Sequence, residues 1–191
     1  MTNDIVTDQD KVIISLFDYS GTWSQPWRDA GYKVIQIDIQ LGQDILDTVQ
    51  AALELHYEGF KAYGVLIAAP CTDFASSGAR HWKKKIGQPA PYDGKLAEIF
   101  EDRLDYFTTL VYTSLFIVEL FNPEFWTLEN PVGRIHQLVP ELGEKKLVFQ
   151  PWEYGDPWTK KTCLWGEFNN QLEKTPVEPL QGSMAYRTSS R

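Results

Sequence analysis

Cysteine and histidine are scarce in this sequence, and their scarcity excludes the common covalent and metal-bound frameworks. The 191 residues include 2 cysteines and 3 histidines. The spacing of Cys71 and Cys163 matches neither a disulfide framework nor a zinc site. His81 has no second histidine or cysteine at a suitable spacing, so no metal site is predicted. Unpaired cysteines favour a reducing compartment, and we expect a cytoplasmic protein.

Positive charge is also in short supply. There are 18 lysines and arginines against 26 aspartates and glutamates, which gives a formal net charge of -8. A protein that holds nucleic acid by charge alone is usually basic. Any contact with DNA or RNA must therefore come from a local basic patch, and a protein partner or a small substrate also stays open.

Long apolar runs are missing as well. The first ten residues, MTNDIVTDQD, are polar and acidic, which is not the pattern of a signal peptide. The longest apolar run, from about Phe107 to Phe121, is interrupted by Tyr, Thr, Ser and Glu. We therefore expect no membrane span and no membrane partner. Residues 1–10 and about 172–191 have no periodicity and are expected to be irregular.

The composition is otherwise that of one compact domain. The hydrophobic share is 43% and the charged share 23%, both ordinary for a globular protein. Aromatic residues make up 14%, including 7 tryptophans, which indicates either a thick core or a site for a flat ligand. The length suffices for a single α/β domain with a good core and is short for two domains.

Buried strands alternate with helical segments along the chain. The predicted strands are Val12–Phe17, Lys33–Ile39, Tyr63–Ala69, Phe125–Leu128, and a late pair at Lys146–Gln150 and Thr162–Leu164. The predicted helices are Pro26–Ala30, Asp47–Glu58 and Gly94–Leu120, and a polar loop from Thr72 to Pro91 is expected to be mobile. This order predicts a doubly wound, mostly parallel, Rossmann-like sheet, with ligands at the carboxyl ends of its strands.

Two acidic segments near the first strands are candidates for binding a cofactor. The turn Phe17-Asp18-Tyr19-Ser20-Gly21 places a glycine just past a buried strand, where the backbone can approach a ligand closely. Asp38 ends the second strand about 20 residues later, where an acid can bind ribose hydroxyls. The alternatives are an ordinary α/β turn for the glycine segment and a helix N-cap for Asp44.

Cys71 is the candidate nucleophile. It follows the third strand in the segment Pro70-Cys71-Thr72-Asp73-Phe74, at the mouth of the predicted sheet. The commoner fate of a free cysteine is a small buried hydrophobe, which is the interpretation we give to Cys163. Glu129, with Asn130, ends the fourth strand at the same rim, where a carboxyl group could exchange a proton with a heterocycle or simply occupy a surface turn.

A short basic run follows the cysteine. It consists of Arg80, Lys83, Lys84 and Lys85 around His81 and Trp82. Such a run is usually a solvated face. Because it lies a few residues from Cys71, it could instead hold a phosphate backbone.

Taken in chain order, several segments resemble the motifs of one enzyme family. They are Leu16–Gly21, Gln43-Asp44-Ile45, Pro70-Cys71 with Phe74 and Ser76, Glu129-Asn130, and Tyr154-Gly155-Asp156-Pro157 with Lys160. Over about Val12 to Gly166 they resemble the DNA (cytosine-5) methyltransferase family. Ala69 and Pro131 depart from the family's usual residues, and Lys160 and Thr162 stand where two arginines are common.

The resemblance implies a set of residue roles. S-adenosylmethionine as cofactor would be bound by Phe17, Asp18, Ser20, Gly21, Asp38, Ile39, Asp44, Ile45 and Pro70. The catalytic residues would be Cys71, Glu129, Asn130 and Lys160. The DNA substrate would be bound by Phe74, Ser76, Arg80, Lys83 and Lys84.

The resemblance also implies a mechanism. Cys71 would add to C6 of cytosine, Glu129 would serve the N3 side of the ring, and the methyl group would go to C5. A duplex substrate would need its base flipped out of the stack.

The family normally carries a target-recognition domain and a closing helix after the last of these segments. Only 25 residues follow Gly166, as in the short forms found in phages and mobile elements. We therefore expect that a second protein chain could supply target recognition. Two further hypotheses stay open, namely a methyltransferase acting on RNA or a free nucleotide, and a non-enzymatic protein of the same fold that binds a partner protein.

Overall fold

The computed structural model describes residues 10–85, 87–88, 100 and 102–180. The six strands are β1 (Val12–Leu16), β2 (Lys33–Ile37), β3 (Gly64–Ile67), β4 (Phe125–Pro131), β5 (Leu147–Phe149) and β6 (Thr162–Glu167). The helices are α1 (Gln25–Asp29), α2 (Ile45–Tyr57), α3 (Ala79–Lys85), α4 (Arg103–Phe121) and α5 (Ile135–Leu138). Short 3-10 turns cover Ile39–Leu41, Ser76–Gly78, Pro140–Leu142 and Pro151–Tyr154.

All six strands form one mixed sheet, in the order β2-β1-β3-β4-β6-β5. The pairs β1–β2, β1–β3 and β3–β4 are parallel. The pairs β4–β6 and β5–β6 are antiparallel. The predicted α/β sheet is therefore present, and its parallel part ends at β4, beyond which the late strand pair adds an antiparallel edge.

Helices cover the two faces of the sheet unequally. On one face, α2 and α4 pack on a core that includes Val65, Leu128 and Trp165. Alternate residues point to opposite faces of a strand, so Phe125 lies on the other side from Leu128. There its ring stacks on Trp27 of the short helix α1, with ring centroids 4.8 Å apart. The second layer is therefore thin and largely aromatic, which accounts for part of the tryptophan content.

Helix α4 is the central helix of the core. By length and composition it is apolar enough to cross a membrane. In the fold, however, it packs against α2, and Phe107, Val111 and Ile117 are buried in the core cluster. A helix that is apolar on most sides is typical of a core position.

Strand β4 runs further than predicted, because it continues through Asn130 and Pro131 instead of ending at Leu128. Proline interrupts a ladder only where its missing N–H is needed. The next amide, Val132 N, donates to Lys161 O at 3.1 Å, on the β6 side. Because successive amides alternate in direction, Pro131 turns its nitrogen to the β3 side, where β3 has already ended.

The predicted polar loop from Thr72 to Pro91 also differs from the structure. It contains a 3-10 turn and the helix α3, whose seven residues include neither glycine nor proline. The breakers that suggested a loop, Gly78 and Gly87, bracket this helix. Residues 86 and 89–91 of the predicted loop and residues 94–99 and 101 of the predicted long helix lie outside the described residues, as do 1–9 and 181–191. The expected mobility stays a prediction.

The first testable prediction concerns the contact between the two inner strands. A Cβ added to Gly64 would lie 2.1 Å from the ring of Phe125, which is held in its stack on Trp27. Gly64→Ala should therefore lower the free energy of unfolding by about 1–3 kcal/mol through overpacking. Urea denaturation measures it. Gly78→Ala is the control, because a Cβ at Gly78 would lie 3.4 Å from the carbonyl oxygen of Thr72, an ordinary contact. Equal losses in both variants would contradict the packing argument.

Candidate active site

Cys71 lies just past the end of β3, at the carboxyl edge of the parallel strands, and is partly buried. The chain turns sharply after it, because Phe74 N and Ala75 N both donate to the Cys71 carbonyl, at 3.0 and 2.8 Å. Phe74 is fully buried and meets Phe107 of α4 edge to face. We call residues 71–76 the cysteine loop. Its turn fixes the backbone that carries the thiol.

The cysteine loop is docked on the segment that follows β4. Ser76 N donates to Val132 O and Arg134 N donates to Phe74 O, each at 2.9 Å. Gly133 lies between these two bonds, and a Cβ there would be 1.8 Å from the carbonyl oxygen of Phe74. Only glycine allows the two backbones to approach this closely. The docking joins the ends of β3 and β4 into one rigid rim.

Glu129 and Lys160 meet at the same rim. Lys160 Nζ lies 3.2 Å from Glu129 Oε1, and both side chains are partly buried. The pair forms because β6 runs antiparallel to β4 with Glu129 opposite Leu164, which brings the residues preceding β6 past the end of β4. The structure thus brings together three of the four predicted catalytic residues, Cys71, Glu129 and Lys160.

Asn130 faces away from Glu129 on β4. Its side chain is fully buried on the opposite face of β4 from Glu129, and its Nδ2 donates to Ala69 O at 3.0 Å. It therefore ties β4 to the backbone two residues before Cys71. Its predicted catalytic role stays a prediction.

The surroundings of Cys71 shift the pKa of its thiol in opposite directions. Burial raises the pKa of the Cys71 thiol, and the positive charge of Lys160 lowers it. Glu129 raises the pKa, whereas the loop backbone and Lys85 lower it. Burial dominates, so the thiol holds its proton to higher pH than an exposed cysteine. Nucleophilic attack would require neighbouring cations to favour the thiolate.

A crevice opens beside the cysteine loop. Its cavity volume is about 230 Å³. Its walls combine carboxylates and apolar side chains from β1, β2, α2 and α4. The lining residues are Phe17, Ile37, Asp38, Ile39, Gln40, Gln43, Asp44, Ile45, Ala68, Pro70, Tyr106 and Leu110. Pro70 belongs to this wall and immediately precedes Cys71, so the crevice and the thiol are adjacent.

The acids of the crevice also hold its backbone. Asp38 is nearly buried, and its Oδ1 accepts from Gln40 N at 2.8 Å. Asp44 is the N-cap of α2, where its Oδ1 accepts from Leu46 N at 3.0 Å. The N-cap alternative for Asp44 is thus confirmed, and the same residue lines the crevice.

Three predicted cofactor residues, Asp18, Ser20 and Gly21, are absent from the crevice wall. Asp18 is buried under α1, where Oδ2 accepts from Ser15 Oγ at 2.9 Å and from Ser24 Oγ at 2.7 Å. Ser20 is exposed and donates to Thr22. Gly21 has a φ of 71° and lies against Arg28. Beyond Phe17 the predicted turn therefore shapes the start of α1.

Phe17 is the strained residue of the crevice. Its φ is 61°, a left-handed conformation that is rare for a bulky side chain, and its amide donates to Ile37 O at 2.8 Å. Such outliers concentrate at functional sites. Sequence reasoning missed Gln40, Tyr106 and Leu110 in the same wall, although the four-residue spacing of the last two on α4 could have indicated a shared helix face.

The predicted substrate residues divide into two groups. Phe74 is buried in the core, and its predicted contact with substrate stays a prediction. Ser76 Oγ donates a hydrogen bond to the carbonyl oxygen of Val132. Arg80, Lys83 and Lys84 are exposed on α3, next to the cysteine loop, and Arg80 Nε donates to His81 at 2.9 Å. The second group forms a local basic patch on an acidic chain.

The second prediction follows from the charges around Cys71. Because Glu129 raises and Lys160 lowers the pKa of the thiol, Glu129→Gln should speed alkylation of Cys71 at neutral pH and Lys160→Met should slow it. The pH midpoint of alkylation moves down in the first variant and up in the second. Iodoacetamide labelling read by mass spectrometry measures both, with buried Cys163 as the internal unreactive control. Shifts of the opposite sign would exclude these neighbours as the source.

Comparison with known proteins finds similarity in fold alone. No family model matches the sequence, and no curated protein matches it. A DNA modification methyltransferase encoded within a prophage (E. coli) has a TM-score of 0.55 at 15% identity, over 88% of this chain and 53% of that chain. A methyltransferase of Entamoeba histolytica has a TM-score of 0.47 at 12% identity, over 89% of this chain and 57% of that chain. The chain spans about half the length of these structures, and it has the fold of the prophage-encoded methyltransferase.

Proposed function

We propose that this protein is an S-adenosylmethionine-dependent methyltransferase that transfers a methyl group to C5 of cytosine in DNA through a covalent adduct of Cys71. The observation that carries this proposal is the meeting of Cys71 with Glu129 and Lys160 at a rim that also borders the crevice. The structural neighbour encoded within a prophage is a DNA modification methyltransferase, which supports DNA as the substrate class.

The crevice has the chemistry that S-adenosylmethionine requires. The cofactor offers ribose hydroxyls, a positively charged sulfonium and a flat adenine ring. Asp38 and Asp44 present carboxylates for the polar parts, and Phe17, Ile39 and Ile45 present apolar surface for the ring. When bound, the cofactor supplies an electrophilic methyl group. Pro70 links its pocket to the nucleophile next to it.

The residues of the rim have complementary tasks in this reaction. C5 of cytosine is a poor nucleophile until the Cys71 thiolate forms a bond to C6. As the S–C6 bond forms and negative charge develops at N3, Glu129 in its acid form donates a proton to N3, and Lys160 stabilises the carboxylate that remains. After methylation of C5, the C5 proton passes to solvent water, the C5–C6 double bond is restored, the S–C6 bond breaks to release the thiolate, and N3 returns its proton to Glu129.

The charge of this chain does not favour strong binding to DNA. Its net charge of -8 opposes binding to a polyanion, and the basic patch Arg80, Lys83 and Lys84 supplies only local attraction. We propose that a second protein chain contributes target recognition, as in a short phage-type enzyme. Two free cysteines, one beside the proposed site, fit a cytoplasmic setting.

The third prediction tests the covalent step. Cys71→Ser should lose methyl transfer while it retains cofactor binding, because thiolate attack is a separate step from binding. Transfer of a radioactive methyl group to duplex DNA measures the loss, and calorimetry measures the binding. Cys163→Ala, a change in the buried core cysteine, is the matched control and should keep methyl transfer.

Trapping separates the substrate classes. An oligonucleotide with 5-fluorocytosine should accumulate a covalent adduct with the wild type, since fluorine cannot leave C5 as a proton does. The DNA, RNA and free-nucleotide forms are compared in parallel. An adduct that forms only on RNA, or only on the free nucleotide, would show that this molecule and not DNA is the substrate. Cofactor binding without an adduct on any of them would leave a non-enzymatic binding protein.

The fourth prediction tests the crevice. Asp38→Asn should weaken S-adenosylmethionine binding by about 1.5–3 kcal/mol, which is the usual worth of a hydrogen bond to a charged group. That loss corresponds to a dissociation constant roughly 10–150-fold higher by calorimetry. Ser20→Ala, outside the crevice wall, should bind as tightly as the wild type. If Ser20→Ala weakens binding more than Asp38→Asn does, the cofactor lies along the glycine turn instead.

A further inference from the structure

Asp73 is a buried carboxylate two residues after Cys71. It is 1% exposed, and its two oxygens each meet a cation. Lys85 Nζ, from the end of α3, lies 3.1 Å from Oδ1, and Arg103 Nε, from the start of α4, lies 2.8 Å from Oδ2. Asp73 thus joins the cysteine loop to two helices that are 18 residues apart in the sequence.

Lys85 also touches the loop directly. Its Nζ donates to the carbonyl of Thr72, the residue next to Cys71, at 3.0 Å. Two groups of the cysteine loop, a carboxylate and a carbonyl, therefore hold one ammonium against the backbone beside the thiol. With only the carbonyl as partner, a long lysine side chain would have many alternative rotamers in solvent.

Arg103 anchors Asp73 to the core. Its guanidinium lies over the ring of Phe107, 5.1 Å from the centroid, and that ring meets Phe74 of the cysteine loop. On the other side, Arg134 Nε donates to the Asp73 carbonyl at 3.0 Å. The position of Asp73 is therefore set by the core, and the position of Lys85 is set by Asp73.

Stability alone does not account for such a buried charge. The desolvation of buried ions often cancels their attraction, so that apolar residues of similar volume are as stabilising or more so. What the ions add is a unique geometry. Here that geometry places a cation on the carbonyl of Thr72, one residue from the proposed nucleophile.

We propose that Asp73 is a positioning residue that acts through Lys85, holding its ammonium beside Cys71 so that the thiolate is stabilised for attack. This inference rests on the proposed function for the role of the thiolate in methyl transfer. Three charged groups act on the thiol, namely Lys160 before β6, Glu129 on β4 and Lys85 on α3. Lys85 lowers the pKa of Cys71, as does Lys160, so its release would raise that pKa.

The sign of the effect distinguishes positioning from simple charge. Removing the negative charge of Asp73 would by itself favour the thiolate and speed alkylation of Cys71. Release of Lys85 works in the opposite direction. Asp73→Asn should therefore slow alkylation and move its pH midpoint upward, which direct electrostatics cannot produce.

The fifth prediction is a double-mutant cycle in the full-length protein with Cys163→Ala, so that iodoacetamide reports Cys71 alone. At pH 7.5, alkylation of Cys71 should be at least about threefold slower in Lys85→Met and in Asp73→Asn than in the Cys163→Ala parent, because the thiolate is the reacting form. The double variant should be no slower than Lys85→Met alone, since Asp73 acts through Lys85. Lys85→Arg should retain most of the rate.

Lys174→Met is the matched control, because it breaks the exposed ion pair with Glu153 and should leave the rate unchanged. Faster alkylation in Asp73→Asn, or additive losses in the double variant, would overturn the proposal. If Asp73→Asn does not fold by circular dichroism, Lys85→Met decides, because its side chain is 20% exposed, and an unchanged pH profile there also overturns it.

Alkylation does not depend on methyl transfer, so the two hypotheses fail separately. A wild type without methyl transfer would sink the proposed function and leave the alkylation result to judge Asp73. In an active wild type, Asp73→Asn should lower kcat and leave the KM for DNA unchanged. A change in KM alone would assign Asp73 to substrate binding and overturn its positioning role.

Discussion

The close backbone contact between the cysteine loop and the segment after β4 is the constraint on which the rest of the site depends. Two hydrogen bonds, from Ser76 N to Val132 O and from Arg134 N to Phe74 O, close it, and Gly133 leaves room for it. Without this contact the ends of β3 and β4 would be separate loops. With it, a thiol and a carboxylate from neighbouring strands share one rim.

Charge at this rim is organised around that contact. The acidic chain concentrates exposed cations on α3, and it brings Lys160 to Glu129 and Lys85 to Asp73. Each lysine is held by a carboxylate of a different strand or loop, so both ammonium groups act on Cys71 from fixed positions. Burial opposes the thiolate, and two anchored cations oppose burial. A thiol in these surroundings stays protonated until its neighbours favour ionisation.

The wall of the crevice beside the cysteine loop is also held by local backbone contacts. Its acids serve the backbone first, as the cap of a 3-10 turn at Asp38 and of α2 at Asp44. Phe17 is held in a left-handed conformation at its wall. These features fix the backbone of the crevice wall. Tyr106 and Leu110 of α4 form an apolar part of the same wall. Pro70 belongs to the crevice wall and immediately precedes Cys71.

The sequence by itself determined the strands of the sheet and the edge at which the candidate residues gather. Buried apolar runs predict parallel strands, and the carboxyl ends of parallel strands meet, so Asp38, Pro70, Cys71 and Glu129 could be placed at one rim. Local capping chemistry likewise indicated Asp44 as an N-cap. The order of the motif segments was enough for the resemblance that guided the functional hypothesis.

Only the tertiary structure decided which way the side chains face. Asp18 turns under α1, Phe74 enters the core and Asn130 binds Ala69, although each lies beside a residue of the site. The pairings of Lys160 with Glu129 and of Arg103 with Asp73 join residues 31 and 30 positions apart. Such contacts depend on strand register and on packing between distant segments, which local propensity and spacing do not encode.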